Sequence, residues 1–264
     1  MPQLNYEQIK TNILAARELS EDNLRKQLAY LYRIFYHYDW CDLIVTHLSV
    51  RVPNEDALLI LPFGLAFDEI TPENLIKVDF KGEVITSSYG FQINRNGTTV
   101  HRAIYQNCPE VNVILHTHST YGVTVSNLEQ GLLLLDQISM MFSGKIGYHD
   151  FDTLFINDNG QDKLLSDMAG KNAMILKNHG LISVGKSITE AFWFHYYLET
   201  SCKIHVLTMS TGGTIKYPSA DVVKNTAAKY DLWRNANDHI TVSDSELLFD
   251  AAKRKVGYIF DREQ

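Results

Sequence analysis

From Leu24 the apolar residues recur at Leu28, Leu31, Ile34 and Phe35, the spacing of a helix with one buried stripe. Ser20, followed by Glu21 and Asp22, supplies a capping side chain and an acidic first turn, so a helix is expected from there to about Trp40. Branched and apolar residues then predict a strand over 43–52 and a partner over 57–61, joined by the polar turn Pro53-Asn54-Glu55-Asp56. Pro62-Phe63-Gly64 breaks that pattern, and nothing is assigned from there to Thr98.

Further on, helical spacing returns at 98–107, a short apolar strand is expected at 111–116, and another helix at 119–128. After a Leu- and Met-rich irregular stretch, the pattern predicts a strand at 145–148, a helix at 161–169 and strands at 173–176 and 181–184. Ser187-Ile188-Thr189-Glu190 has the form of a capping box and opens a long helix to about Ser210. Its run Phe192-Trp193-Phe194-His195-Tyr196-Tyr197 exceeds one buried face, which implies packing on both faces or a subunit contact, with the core the first expectation. Helices are also expected at 221–235 and 243–253.

Strands alternating with helices over 264 residues, without repeat or clear linker, imply an α/β chain able to bury a sizeable core. The 45% hydrophobic and 21% charged content is that of a globular protein. With 24 basic against 31 acidic residues, and no basic run, nucleic acid is excluded as an expected partner. No apolar run approaches the ~20 residues of a membrane helix, and the N-terminus lacks a signal-like apolar region. Cys41, Cys108 and Cys202 form no C-x-x-C pair and are expected to be buried thiols in a reducing compartment, so a cytoplasmic protein is expected.

The sharpest chemistry lies in Val113-Ile114-Leu115-His116-Thr117-His118. Residues i and i+2 of a strand share a face, so the two imidazoles point the same way at a strand end. Taken alone, such a pair could simply end a strand. A second apolar strand stops at Asn178-His179-Gly180, however, 61 residues after His118, and a third imidazole there would complete the three-ligand set of an open metal site.

With these motifs, residues 97–213 resemble the class II aldolase/adducin family, which is marked by an H-x-H strand end and a later N-H-G. Similarity extends upstream through Thr46–Arg51 and Leu61–Gly64. The resemblance implies one domain spanning 1–264, with helical extensions at both ends, built as three α/β/α layers around a mainly antiparallel sheet. It also implies a homo-oligomer, commonly a tetramer, with the site near a subunit interface. A divalent metal, zinc first and iron or manganese as alternatives, would be held by His116, His118 and His179.

The sugar-phosphate aldolases of the family carry a glutamate as base where this chain has Gly97, so their usual proton-transfer group is missing. Their phosphate turn reads Thr46-His47-Leu48-Ser49 here, and their paired serines correspond to Arg95 and Asn96; Gly64 alone is retained. His47, Gly64, Arg95 and Asn96 are therefore the expected substrate-binding positions, and Arg95 suits an anionic small molecule. Tyr148 and His149, the latter beside Asp150, are candidates for the missing proton transfer. His195 and Glu199, at i,i+4, read as a surface pair. Two functions compete: a metal-dependent lyase acting by retro-aldol cleavage or decarboxylation, and an adducin-like binding module with a structural or vestigial metal.

Overall fold

The computed structural model describes residues 5–151, 158–236 and 241–261. Eight strands form one sheet: β1 His47–Arg51, β2 Ala57–Ile60, β3 Ile76–Asp79, β4 Val84–Thr86, β5 Val113–Thr117, β6 Ile146–His149, β7 Ala173–Leu176 and β8 Gly180–Gly185. Their order is β4-β3-β2-β1-β5-β8-β7-β6, and every pairing is antiparallel except β6 with β7. The mainly antiparallel α/β sheet is thus as expected.

The helices are α1 Tyr6–Ala15, α2 Glu21–His37, α3 Arg95–Asn107, α4 Thr120–Ser126, α5 Gln137–Met140, α6 Asp158–Met168, α7 Ile188–Ser210, α8 Ala220–Ala236 and α9 Asp244–Val256. Strand alternation divides the sheet into two faces. His47, Ser49 and His116 point toward α3, where Ser49 meets His101 and Tyr105. Thr117 and Ser183 point the other way, onto α7. On that second face α2 contacts β1, α7 contacts β5, β7 and β8, and α9 packs on α2 and α7. Leu28, Leu31 and Phe35 of α2 are fully buried there, each worth about 1.5–3 kcal/mol.

Several local expectations are corrected. The strand expected from residue 43 begins at His47, because Leu43 has φ +44° and Val45 N–H closes a turn onto the Asp42 carbonyl. The hairpin β3–β4 is unanticipated; β4 has three residues, all exposed, so no alternation marks it. Ser187 caps α7 as expected, accepting from Glu190 N–H, but the Glu190 carboxyl takes the Lys186 N–H. Of the cysteines only Cys202 is fully buried, with Cys41 and Cys108 partly buried against the core. Among the described residues no helix is long and apolar enough to cross a membrane.

Candidate metal centre

The C-terminal end of β5 carries His116 and His118, and the β7–β8 turn brings His179 to them. Asn178 takes the left-handed conformation at φ +57°, which asparagine tolerates better than most residues. His179 N–H donates to the Leu176 carbonyl (3.1 Å) and to Ser126 Oγ (3.2 Å), fixing the turn on α4. At residue 180 a Cβ would lie 2.2 Å from the Thr117 carbonyl oxygen, so only glycine lets β8 close on β5 beside the histidines. Each residue of N-H-G therefore has its own structural task.

The three imidazole centroids form a nearly equilateral triangle: His116–His118 4.8 Å, His116–His179 4.9 Å and His118–His179 4.8 Å. One ligating atom from each lies within 4.8 Å of the others, a set that could hold a metal ion. His116 Nδ1–H donates to the Leu181 carbonyl at 2.9 Å, and His118 Nδ1 meets Asp42 Oδ2 at 3.1 Å. Such partners fix the tautomer and leave Nε2 as the free electron pair on both rings. The two Nε2 atoms then face each other at 3.1 Å. Two lone pairs so close repel unless a proton or a metal ion lies between them, and tetrahedral zinc–nitrogen bonds of 2.0–2.1 Å set such an edge at about 3.3 Å. The donor set fits a divalent ion.

Burial, reinforced by the neighbouring imidazoles, holds His116 and His47 well below the usual histidine value. Burial first and then His118 and His149 lower His179 to about 4, and burial lowers His101 to about 3. Such groups stay neutral in the folded protein at pH 7, the form that ligates metal. The unfolded chain, with histidines near 6.5, takes up protons as pH falls while the native state does not, so stability is lost below about pH 6.5. His101 alone contributes about 1.4 kcal/mol per pH unit from there toward its folded value. Thermal unfolding of metal-free protein between pH 7.5 and 4.5 should show the midpoint falling ever more steeply below pH 6.5; a flat profile would refute this assignment.

His47 is buried on β1 directly opposite His116, with ring centroids 5.0 Å apart. Its Nδ1 is hydrogen-bonded to His101 Nε2 at 2.9 Å; His101 Nδ1 meets Ser49 Oγ at 2.6 Å, and Ser49 Oγ meets the Tyr105 hydroxyl at 2.8 Å. This chain orients the His47 ring so that Nε2 is the nitrogen toward Gly97. A Cβ at residue 97 would lie 2.2 Å from that atom. The imidazole fills the space that a side chain at 97 would need.

Arg95 and Asn96 are exposed in the first turn of α3, immediately before Gly97. Gly64, at φ +103°, lies in an exposed turn tied to the same region by Phe63 N–H donating to the Gln92 carbonyl. Tyr148 is not brought to the histidines: it packs against Gly131, and its hydroxyl accepts from Leu132 N–H. His149 is buried on the opposite side of the strand, near enough to His179 to lower that group, and its carboxylate partner is Asp167 at 2.8 Å. Asp150 instead pairs with Lys163 and Lys177.

The expectation for His195 and Glu199 is overturned, since they are 0% and 3% exposed. They lie under β5 in hydrogen bonds with Thr117, Ser119 and Ser183. The available signal was their helix, apolar around its circumference and hence buried on most sides. Asp42 was also missed, because its turn reads as strand.

Fold and site together describe an α/β protein with a histidine cluster at neighbouring strand ends. Residues 26–206 match the Class II Aldolase and Adducin N-terminal domain, and the chain belongs to that family. It is 36% identical over 207 residues to a Pseudomonas aeruginosa protein whose name places it in aldolase class 2, covering 78% of this chain and 80% of that one. Rat alpha-adducin is 34% identical over 201 residues, 75% of this chain but 27% of the adducin. Among solved structures, L-fuculose 1-phosphate aldolase from Glaciozyma antarctica superposes with TM-score 0.72 at 28% identity, covering 89% of this chain and 88% of that one.

Proposed function

We propose that this protein is a metal-dependent carbon–carbon lyase that cleaves or decarboxylates a small anionic hydroxy- or keto-substrate. The observation that carries the proposal is the pair of Nε2 atoms facing each other at 3.1 Å beside His179. His116, His118 and His179 would hold the ion, zinc first, although imidazoles also accept iron or manganese. A divalent ion held there supplies Lewis acidity, polarising a carbonyl and accepting the charge that bond cleavage leaves.

Leu181 and Asp42 orient the first two rings, and burial keeps His116 and His179 neutral. His47 Nε2 is the group that would hold or pass a proton in the space beside Gly97, in place of the carboxyl used by the family's sugar-phosphate aldolases. Arg95 and Asn96, at the positive end of α3, suit a carboxylate or phosphate on the substrate. A homo-oligomer, a tetramer by family likeness, belongs to the same proposal.

The zinc-loaded protein is to be offered 2-hydroxy- and 2-oxo-carboxylates and hydroxyketone phosphates, with released aldehyde or carbon dioxide measured. At least one should turn over in a chelator-sensitive way. His47→Ala should keep its metal yet lose about 100-fold in rate, the scale of a lost acid–base group. Absence of turnover across the panel, with partner binding unaffected by His179→Ala, would overturn the lyase reading in favour of an adducin-like binding module.

A further inference from the structure

His118 lies one residue beyond the last ladder pair of β5, Thr117 with Leu181. Backbone pairing therefore does not fix its ring, and the residues on either side of it have to. Both are hydroxyl residues turned toward α7, and both are held by one carboxyl group. Thr117 Oγ1–H donates to Glu199 Oε1 at 3.0 Å, and Ser119 Oγ–H donates to Glu199 Oε2 at 2.7 Å. Ser119 Oγ also accepts from Gly122 N–H at 3.1 Å, so the same hydroxyl caps α4.

One helical turn earlier, His195 joins the two strands that bear the histidines. Its Nε2 meets Thr117 Oγ1 on β5 at 3.1 Å, and its Nδ1 meets Ser183 Oγ on β8 at 3.1 Å. Phe35 stacks on its ring, with centroids 4.9 Å apart. A buried polar cluster of this kind is costly to assemble, and well-packed apolar residues of similar volume commonly serve stability as well or better. Its arrangement answers a different need, because it brackets His118 on both sides.

We propose that Glu199 and His195 are positioning residues for the metal centre: through Thr117, Ser119 and Ser183 they set the spacing and direction of His116 and His118 from the opposite face of the sheet. The inference rests on the metal-binding reading of the three histidines. It extends the functional unit through the sheet to the middle of α7. Neither residue is among the three candidate ligands.

The test is cobalt(II) binding by the full chain, read as affinity by chelator competition and as the visible d–d spectrum, alongside thermal unfolding of the metal-free protein. Glu199→Ala should weaken cobalt at least about tenfold, the lower end for groups that orient ligands, and should alter the spectrum. Glu199→Gln keeps the shape and one acceptor, so it should restore affinity to within about threefold of wild type, by the same scale. Thr117→Val, which leaves the Ser119 contact in place, covers the case in which Glu199→Ala does not fold; it should weaken cobalt and shift the spectrum in the same direction. Folded Glu199→Ala or Thr117→Val protein with wild-type affinity and spectrum would overturn the inference. A wild type that binds no cobalt would overturn the metal reading itself, and this inference with it.

Discussion

Replacing His116 with alanine should remove stoichiometric metal from the protein. The ring supplies one of three donors and is itself buried, tied through Nδ1 to the Leu181 carbonyl, while the nearby His47 is held through its own Nδ1 to His101. Loss of a direct ligand should exceed the ~10–100-fold effect of losing a group that only orients one. After dialysis, metal analysis should find about one ion per wild-type chain and under about a tenth of that in the variant, as expected for an open site reduced to two protein donors. The thermal shift on adding zinc should vanish with it, because an ion at a thousand times its Kd stabilises by about 4 kcal/mol. Full metal content in folded His116→Ala protein would end the proposal that these histidines form the site.

Gly180→Ala should be the most damaging small substitution near the centre. The added methyl would meet the Thr117 carbonyl oxygen at 2.2 Å and His118 Cδ2 at 3.1 Å, and the first of these is backbone in a paired strand. To make room, β5 and β8 must separate where the two histidine-bearing segments meet. Overpacking of this kind costs about 3 kcal/mol, and the separation should weaken metal as well. Urea unfolding gives the first quantity and chelator competition the second. Gly213→Ala is the control, since its methyl meets only the Thr211 hydroxyl at 3.4 Å and should change neither. A loss below about 0.5 kcal/mol in Gly180→Ala, the range of an ordinary surface change, would show that the strands are not held as closely as described.

The histidines of the proposed site were legible in the chain because two local patterns do not depend on tertiary context. His116 and His118 share a face by strand alternation, and His179 ends an apolar run at a turn. Tyr148 and His149, together the candidates for proton transfer, are neighbours on a strand and so point apart; the structure sends one to Gly131 and the other to Asp167. The partner of His149 lies on another element, and no local pattern announces it. Asp42 was hidden because Leu43, Ile44 and Val45 look like strand, whereas they are exposed and form the turn that delivers the carboxylate to His118. For His195 and Glu199 the i,i+4 spacing was read ahead of the signal for burial, which was the apolar circumference of α7. Only the packing of α7 against the sheet turns an i,i+4 pair into part of the interior.

The contact between His47 and Gly97 constrains how this site can change. The two positions share one cell that admits a single large side chain, from β1 or from α3 but not from both. A lone exchange of Gly97 for glutamate would drive a carboxyl-bearing side chain into an imidazole already anchored by His101. Any mutational path between the imidazole version and the carboxylate version must therefore vacate residue 47 before, or together with, filling residue 97. The identity of the group beside the proposed metal is thus inherited as a pair of residues rather than as one.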